Sequence, residues 1–265
     1  MILLEGKKLA DKLTSQMTGK FKNTGILAAI LVGESSASAL YLKKKNELAD
    51  KLGVKFVLHK LPSKASGKQV IDLICKLNND KKVTGIILQL PLPRTLDVGE
   101  IVNAISPQKD VDGLTDANIL SGEVLPATAV GILRLMAEYK ISLDGKKIAL
   151  VGWTRLLNLP LSLYFTKLGN SVVVLQEGTK NFGELKTADI IITAVGKANL
   201  IKDKDIKEGA IVIDAGISKL KSKLVGDCEV SSVGKKAKYL TPVPGGVGPM
   251  TVVSLFLNLK TLSKR

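Results

Sequence analysis

Short apolar, β-branched runs alternate with longer amphipathic segments along nearly the whole chain, and no other sequence feature restricts the fold as much. Residues 26–32, 54–61 and 83–90 read as strands, since runs of this length rich in Val and Ile suit a buried pleated surface. Between them, 36–52 and 67–77 place apolar residues among lysines at helical spacing. Residues 97–105 read as a short helix and 128–139 as a longer one. A second series starts near Gly145, with strands at 147–152, 171–176, 190–195 and 211–216, a helix over 156–168 and a last helix over 249–262. Strand–helix alternation of this kind builds parallel sheets. The expectation is therefore an α/β protein of two domains with a cleft between them. One domain covers 1–127, with the C-terminal helix 249–265 packing back on it, and a Rossmann-like domain of the dinucleotide-binding type covers 128–248.

Composition removes several classes of function. A chain of 265 residues with 45% hydrophobic content has enough material for two cored domains. No run approaches the roughly 18–20 apolar residues of a membrane span, and the apolar start of the chain is too short for a signal peptide, so the expected compartment is the cytoplasm, with no membrane partner. Cys75 and Cys228 are isolated and His59 is the single histidine, which leaves no metal site of His and Cys. The net charge of +15 would attract polyanions. The lysines are scattered, however, and only 4% of residues are aromatic, which is poor material for a single-strand stacking surface. A solvated lysine-rich surface with no nucleic-acid partner is the reading adopted, and a basic nucleic-acid-binding protein is the alternative from another class.

Loops that carry chemistry fall at the carboxyl ends of the expected strands, where α/β folds bind ligands. Tyr41 and Lys45 lie four apart on one helix face, a pattern that many plain surface helices also contain. Gln89 follows the third strand, where its amide can meet an amine or a carbonyl. Asp110-Val-Asp112-Gly113 brings two carboxylates into one loop, which is equally the sequence of an ordinary Asx-stabilised turn. Pro242-Val-Pro-Gly-Gly-Val-Gly-Pro249 is harder to treat as a plain turn, because three glycines and three prolines in eight residues fix an unusual backbone ahead of a helix.

On these segments the chain resembles the bifunctional methylenetetrahydrofolate dehydrogenase/methenyltetrahydrofolate cyclohydrolase family over essentially its whole length. The matching stretches are Ser38-Ala-Leu-Tyr41 with Lys45, Gly85-Ile-Ile-Leu-Gln-Leu-Pro-Leu-Pro93, Lys109-Asp-Val-Asp-Gly113, Ala194-Val-Gly-Lys197, residues 209–217 and residues 241–251. The resemblance implies an N-terminal folate-binding domain beside the Rossmann-like one, tetrahydrofolate derivatives as substrates, NADP (NAD possible) as cofactor, and a homodimer in the one-carbon metabolism that feeds purine biosynthesis. It further implies that Tyr41 stacks on the folate, Lys45 is the general acid/base, Gln89 positions Lys45 and tunes its protonation, and Asp112 holds the pterin edge. Ser38, Pro244, Gly245 and Gly246 would complete the folate site, and Gly152, Trp153, Thr154, Arg155, Glu177 and Ile217 the cofactor site. No metal is implied.

The cofactor loop departs from the family pattern. The usual Gly-Arg-Ser-x-x-Val-Gly-x-Pro reads Gly152-Trp-Thr-Arg-Leu-Leu-Asn-Leu-Pro160 here. Asn158 is expected to tolerate a positive φ but to add bulk where a diphosphate approaches. Glu177 would repel a 2′-phosphate and suit a ribose hydroxyl, with Arg155 and Lys180 available to compensate. The family's Pro-Cys-Thr-Pro loop becomes Pro126-Ala-Thr-Ala129. A cyclohydrolase that keeps the nucleotide domain only as scaffold, and another two-domain dehydrogenase acting on a small acid, remain alternatives at this level.

Overall fold

The computed structural model describes residues 1–22, 24–176, 178–179 and 182–264. In chain order the first elements are β1 (Ile2–Leu3), α1 (Gly6–Met17), β2 (Ile26–Val32), α2 (Ser36–Leu52), β3 (Lys55–Leu61), α3 (Gly67–Asn79) and β4 (Val83–Leu88). Helices α4 (Val98–Asn103), α5 (Asp116–Ser121) and α6 (Ala127–Glu138) follow. The second series comprises β5 (Lys147–Val151), α7 (Asn158–Lys167), β6 (Ser171–Leu175), β7 (Ile190–Thr193) and β8 (Ile211–Asp214). It closes with β9 (Ser218–Leu220), β10 (Lys223–Val225), α8 (Val230–Val233), β11 (Tyr239–Leu240) and α9 (Val247–Leu262). Contacts divide the chain into two compact units, Lys12–Ala127 with Val252 onward, and Met1–Asp11 with Thr128–Thr251.

The first unit is built on a parallel three-stranded sheet, β3-β2-β4. Helix α3 shows why such segments fold locally. Ser66 and Gln69 form a reciprocal capping box, and Val70, Ile74 and Leu77 recur at helical spacing as its buried stripe. That stripe joins Ile30, Ile86 and Ile101, all fully buried, in one core, each contributing about 1.5–3 kcal/mol of burial. Phe256 of α9 meets Phe21 edge to face at 6.3 Å.

The second unit carries a six-stranded, wholly parallel sheet in the order β1-β11-β8-β7-β5-β6. Counted from β5, the order is 2-1-3-4-5 with β1 added at the far edge, which is a doubly wound sheet with its switch point between β5 and β7. No helix among the described residues is long and apolar enough to cross a membrane.

Element ends differ from the sequence expectation in physically readable ways. The strand expected to reach residue 90 stops at Leu88, and Gln89 makes one further bond to Ile30 (2.9 Å) before the cis Leu90–Pro91 peptide. Helix α9 begins at Val247, so Pro249 sits within its first turn and does not open it. Helix α1 was not anticipated, because Lys7, Lys8 and Lys12 surround its buried Leu9, Ala10 and Met17 and mask the stripe. Strands β1 and β11 have two residues each and are too short for a periodic signal.

Candidate active site

In the first unit α2 presents Ser38, Tyr41 and Lys45 at i, i+3 and i+7, one stripe of the helix. Its start is fixed by Ser35, whose hydroxyl accepts from the Ser38 amide at 3.3 Å. Lys45 is only 8% exposed. Its Nζ lies 3.4 Å from Gln89 Oε1 and 3.9 Å from Asp112 Oδ2. The Gln89 amide nitrogen is committed to Leu90 O at 2.7 Å, which leaves its oxygen turned to Lys45. Ser38 is buried, and its Oγ has no hydrogen-bond partner among the described residues, a cost that a bound polar group would remove. Tyr41 is half-buried, and the cation over its ring is Lys44 (6.0 Å), not Lys45.

The loop bearing Asp112 is tied down at each of the three residues before it. Lys109 Nζ donates to the carbonyls of Leu77 (3.0 Å), Asn78 (2.7 Å) and Asp80 (2.8 Å) at the end of α3. Burial lowers the pKa of that amine, and Asp80 opposes the shift. Asp110 is buried and accepts from Thr115 N at 2.8 Å and Asn118 Nδ2 at 2.9 Å. Asn258 of α9 donates to Val111 O and Leu125 O, both at 2.9 Å. Of the two carboxylates in the motif, Asp110 therefore holds the turn and Asp112 faces Lys45. Burial raises the Asp112 pKa above its ordinary value, Lys45 pulls it down, and Asp110 adds to the rise.

In the second unit Gly152 follows β5 at φ +100, and a Cβ there would stand 3.0 Å from Ala194 O after β7. The two loops thus meet at the carboxyl side of the switch point. Trp153 is 50% exposed and Ile217 49%, while Thr154 and Arg155 are half-buried. Asn158 corrects the sequence expectation. It is the first residue of α7 and fully buried, and its Nδ2 donates to Val151 O at 3.2 Å. The Thr154 hydroxyl donates to its Oδ1 at 3.4 Å. Its side chain turns back into the strand–helix joint, so it needs no positive φ and adds no exposed bulk. Glu177 and Lys180 lie outside the described residues.

The Pro-Gly-Gly loop also belongs to the second unit, with a cis Val243–Pro244 peptide. Gly246 N donates to Pro242 O, and Lys7 N donates to Gly245 O, both at 2.8 Å. A Cβ on Gly6 would lie 1.8 Å from Gly246 O. Gly6 and the buried Asp214 and Asp227 escaped the sequence reading, since each acts on residues far away along the chain.

Two profiles of one family match the chain. The tetrahydrofolate dehydrogenase/cyclohydrolase catalytic domain matches residues 4–112, and its NAD(P)-binding domain matches residues 126–265. The chain belongs to this tetrahydrofolate dehydrogenase/cyclohydrolase family. The bifunctional protein FolD of Sulfurihydrogenibium sp. (strain YO3AOP1) is 42% identical over 282 residues, covering 100% of this chain and 98% of its own. That of Aquifex aeolicus is 39% identical over 278 residues, covering 100% and 96%. The crystal structure of the bifunctional dehydrogenase/cyclohydrolase from Campylobacter jejuni superposes with a TM-score of 0.95 at 37% identity, covering 100% and 99%. The Trypanosoma brucei enzyme, solved with NADP cofactor and inhibitor, gives 0.93 at 27% identity, covering 100% and 97%. The residues present fit the family's dinucleotide. A glycine at positive φ ends β5 at the switch point, a helix N-terminus follows, and no side chain of Asn158 intrudes.

Proposed function

We propose that this chain oxidises 5,10-methylenetetrahydrofolate to the 5,10-methenyl form with NADP and hydrolyses that product to 10-formyltetrahydrofolate. The observation that carries the reading is the buried Lys45, set between the Gln89 amide oxygen at 3.4 Å and the Asp112 carboxylate at 3.9 Å. In the hydrolysis, water adds to the methenyl carbon. Lys45 Nζ takes and returns the proton as the tetrahedral adduct opens, a role of the kind that contributes about 10²–10⁴-fold. Gln89 holds the amine in place, Asp112 accepts from the pterin N–H edge, and Ser38, Tyr41 and the Pro244–Gly246 backbone complete the substrate contacts. The dinucleotide, when bound, supplies the hydride acceptor. Gly152, Trp153, Thr154, Arg155 and Ile217 hold it, and Glu177 belongs to the same set on sequence grounds. NAD is the second reading, favoured by Glu177, whose carboxylate would repel a 2′-phosphate, and by Trp153, an exposed neutral side chain where the family pattern has arginine.

A homodimer of cytoplasmic enzyme serving purine biosynthesis completes the proposal. Its support is the open edge of β3, which with α2 borders an apolar groove of about 400 Å³ lined by Leu31, Leu42, Phe56 and Leu58. Light scattering at the monomer mass would remove that part. The main test follows nicotinamide reduction by methylenetetrahydrofolate with NADP and with NAD, and methenyl hydrolysis in the parent protein and in Lys45→Met. Hydrolysis in the variant should fall at least ~100-fold. Retention of most hydrolysis, or silence of the parent protein in both assays, refutes the reading.

A further inference from the structure

The loop after β7 turns three consecutive amides inward onto one buried carboxylate. Asp227, fully buried, accepts from Val195 N at 2.7 Å, Gly196 N at 2.8 Å and Lys197 N at 2.8 Å, and from the Thr193 hydroxyl at 2.7 Å. Gly196 stands at φ +80 in the middle of this turn. Successive amides converging about a left-handed residue form an anion-binding concavity. Here the anion is the protein's own side chain. Asp227 is itself fixed, because its amide donates to Asp214 Oδ1 at 3.0 Å and its carbonyl accepts from Ile201 N at 3.1 Å. Asp214 also accepts from Gly216 N at 3.0 Å and Cys228 N at 2.8 Å. Gly216 leaves the space: a Cβ there would lie 2.1 Å from Asp227 Oδ1.

A trans peptide is planar, with its carbonyl opposite its N–H. Each amide aimed at Asp227 therefore aims the preceding carbonyl the other way, so Ala194, Val195 and Gly196 present their oxygens outward. Ala194 O borders the Gly152 turn, 3.0 Å from where a Cβ would stand, at the switch point where open α/β sheets receive ligands. We propose that Asp227 is a positioning residue for the dinucleotide: it occupies the amides of the β7 loop and sets these carbonyls as acceptors for the cofactor's amide N–H or hydroxyl donors. The inference rests on the reading of the chain as a dinucleotide-using enzyme. It also assigns the anionic diphosphate away from this loop, whose amides are spent, and to the turn ahead of α7.

Trp153, the chain's single tryptophan, stands half-exposed beside Gly152 and reports binding by its fluorescence. The test titrates NADP into the parent protein, Asp227→Asn and Thr193→Val, records ¹H–¹⁵N spectra, and assays methenyl hydrolysis as the activity that needs no dinucleotide. Asp227→Asn sets a donor against the inward amides. Its dissociation constant should rise about tenfold or more, with the Val195–Lys197 amide protons moving upfield and hydrolysis held within about twofold. Thr193→Val removes a single bond and keeps the carboxylate. It should fold where Asp227→Asn does not, and should weaken binding about threefold. Unchanged NADP affinity in the variants that fold overturns the inference, and so does a parallel loss of binding and hydrolysis. Absence of binding in the parent protein sinks the dinucleotide reading, and this inference with it.

Discussion

Replacing Gly6 by alanine tests how the N-terminal segment supports the Pro-Gly-Gly loop. The new Cβ would stand 1.8 Å from Gly246 O and 2.6 Å from Gly246 C, both backbone atoms that no rotamer change can move aside. Relief to an ordinary contact requires more than about 1 Å of backbone displacement, and overpacking of this kind costs about 1–3 kcal/mol. The same shift breaks the bond from Lys7 N to Gly245 O, now 2.8 Å, worth a further ~0.5–1.5 kcal/mol. Together these give about 2–4 kcal/mol, or roughly 5–15 °C in melting temperature for a unit of this size. Under the proposed function the Pro244–Gly246 backbone contacts the substrate, so methenyl hydrolysis should lose up to about 100-fold in kcat/KM. Calorimetry and the hydrolysis assay read the two effects. Gly248→Ala is the comparator, since nothing lies within 4 Å of its Cβ position and an alanine in a helix stabilises by about 0.5–1 kcal/mol. A Gly6→Ala protein that melts with the parent and turns over normally refutes the reasoning.

Asp112→Asn should lower methenyl hydrolysis by about 10–100-fold, the worth of a buried hydrogen bond to a charged group. Its effect on stability has a definite sign. Burial holds the folded pKa above the ordinary carboxylate value, so the ionised carboxylate costs stability above the folded pKa, and that cost disappears as pH falls through the folded pKa toward the unfolded one. The asparagine variant should therefore gain stability at pH 7 and lose the gain near pH 4, and urea titrations showing the same difference at both pH values would contradict the burial argument. Asn258→Leu strips donors from Val111 O and Leu125 O. It should cost about 2–4 kcal/mol and raise the KM for folate by loosening the Asp112 loop, whereas an unchanged unfolding midpoint would show that the loop holds without it.

Strand–helix alternation, the main element positions and the Gln89, Asp112 and Pro-Gly-Gly loops were legible from the sequence, because hydrophobic period and turn chemistry are properties of neighbouring residues. Leu88 and Gln89 fell within one or two residues of expectation for the same reason, the prolines after them being local stops. What the sequence left open was the division of labour within motifs. Asp110 and Asp112 are both carboxylates in one turn, and only Thr115, Asn118 and Lys45 brought beside them make the first a brace and turn the second toward a buried amine. Asn158 was read by its φ tolerance, whereas its partner Val151 O, seven residues back, decided its direction. Gly6 meets Gly246, and Asp227 gathers amides at least 30 residues away. A sequence records propensity over a few residues. Which distant backbone closes on a glycine, and which amides converge on a carboxylate, is set only when the core folds and buried polar groups must find partners.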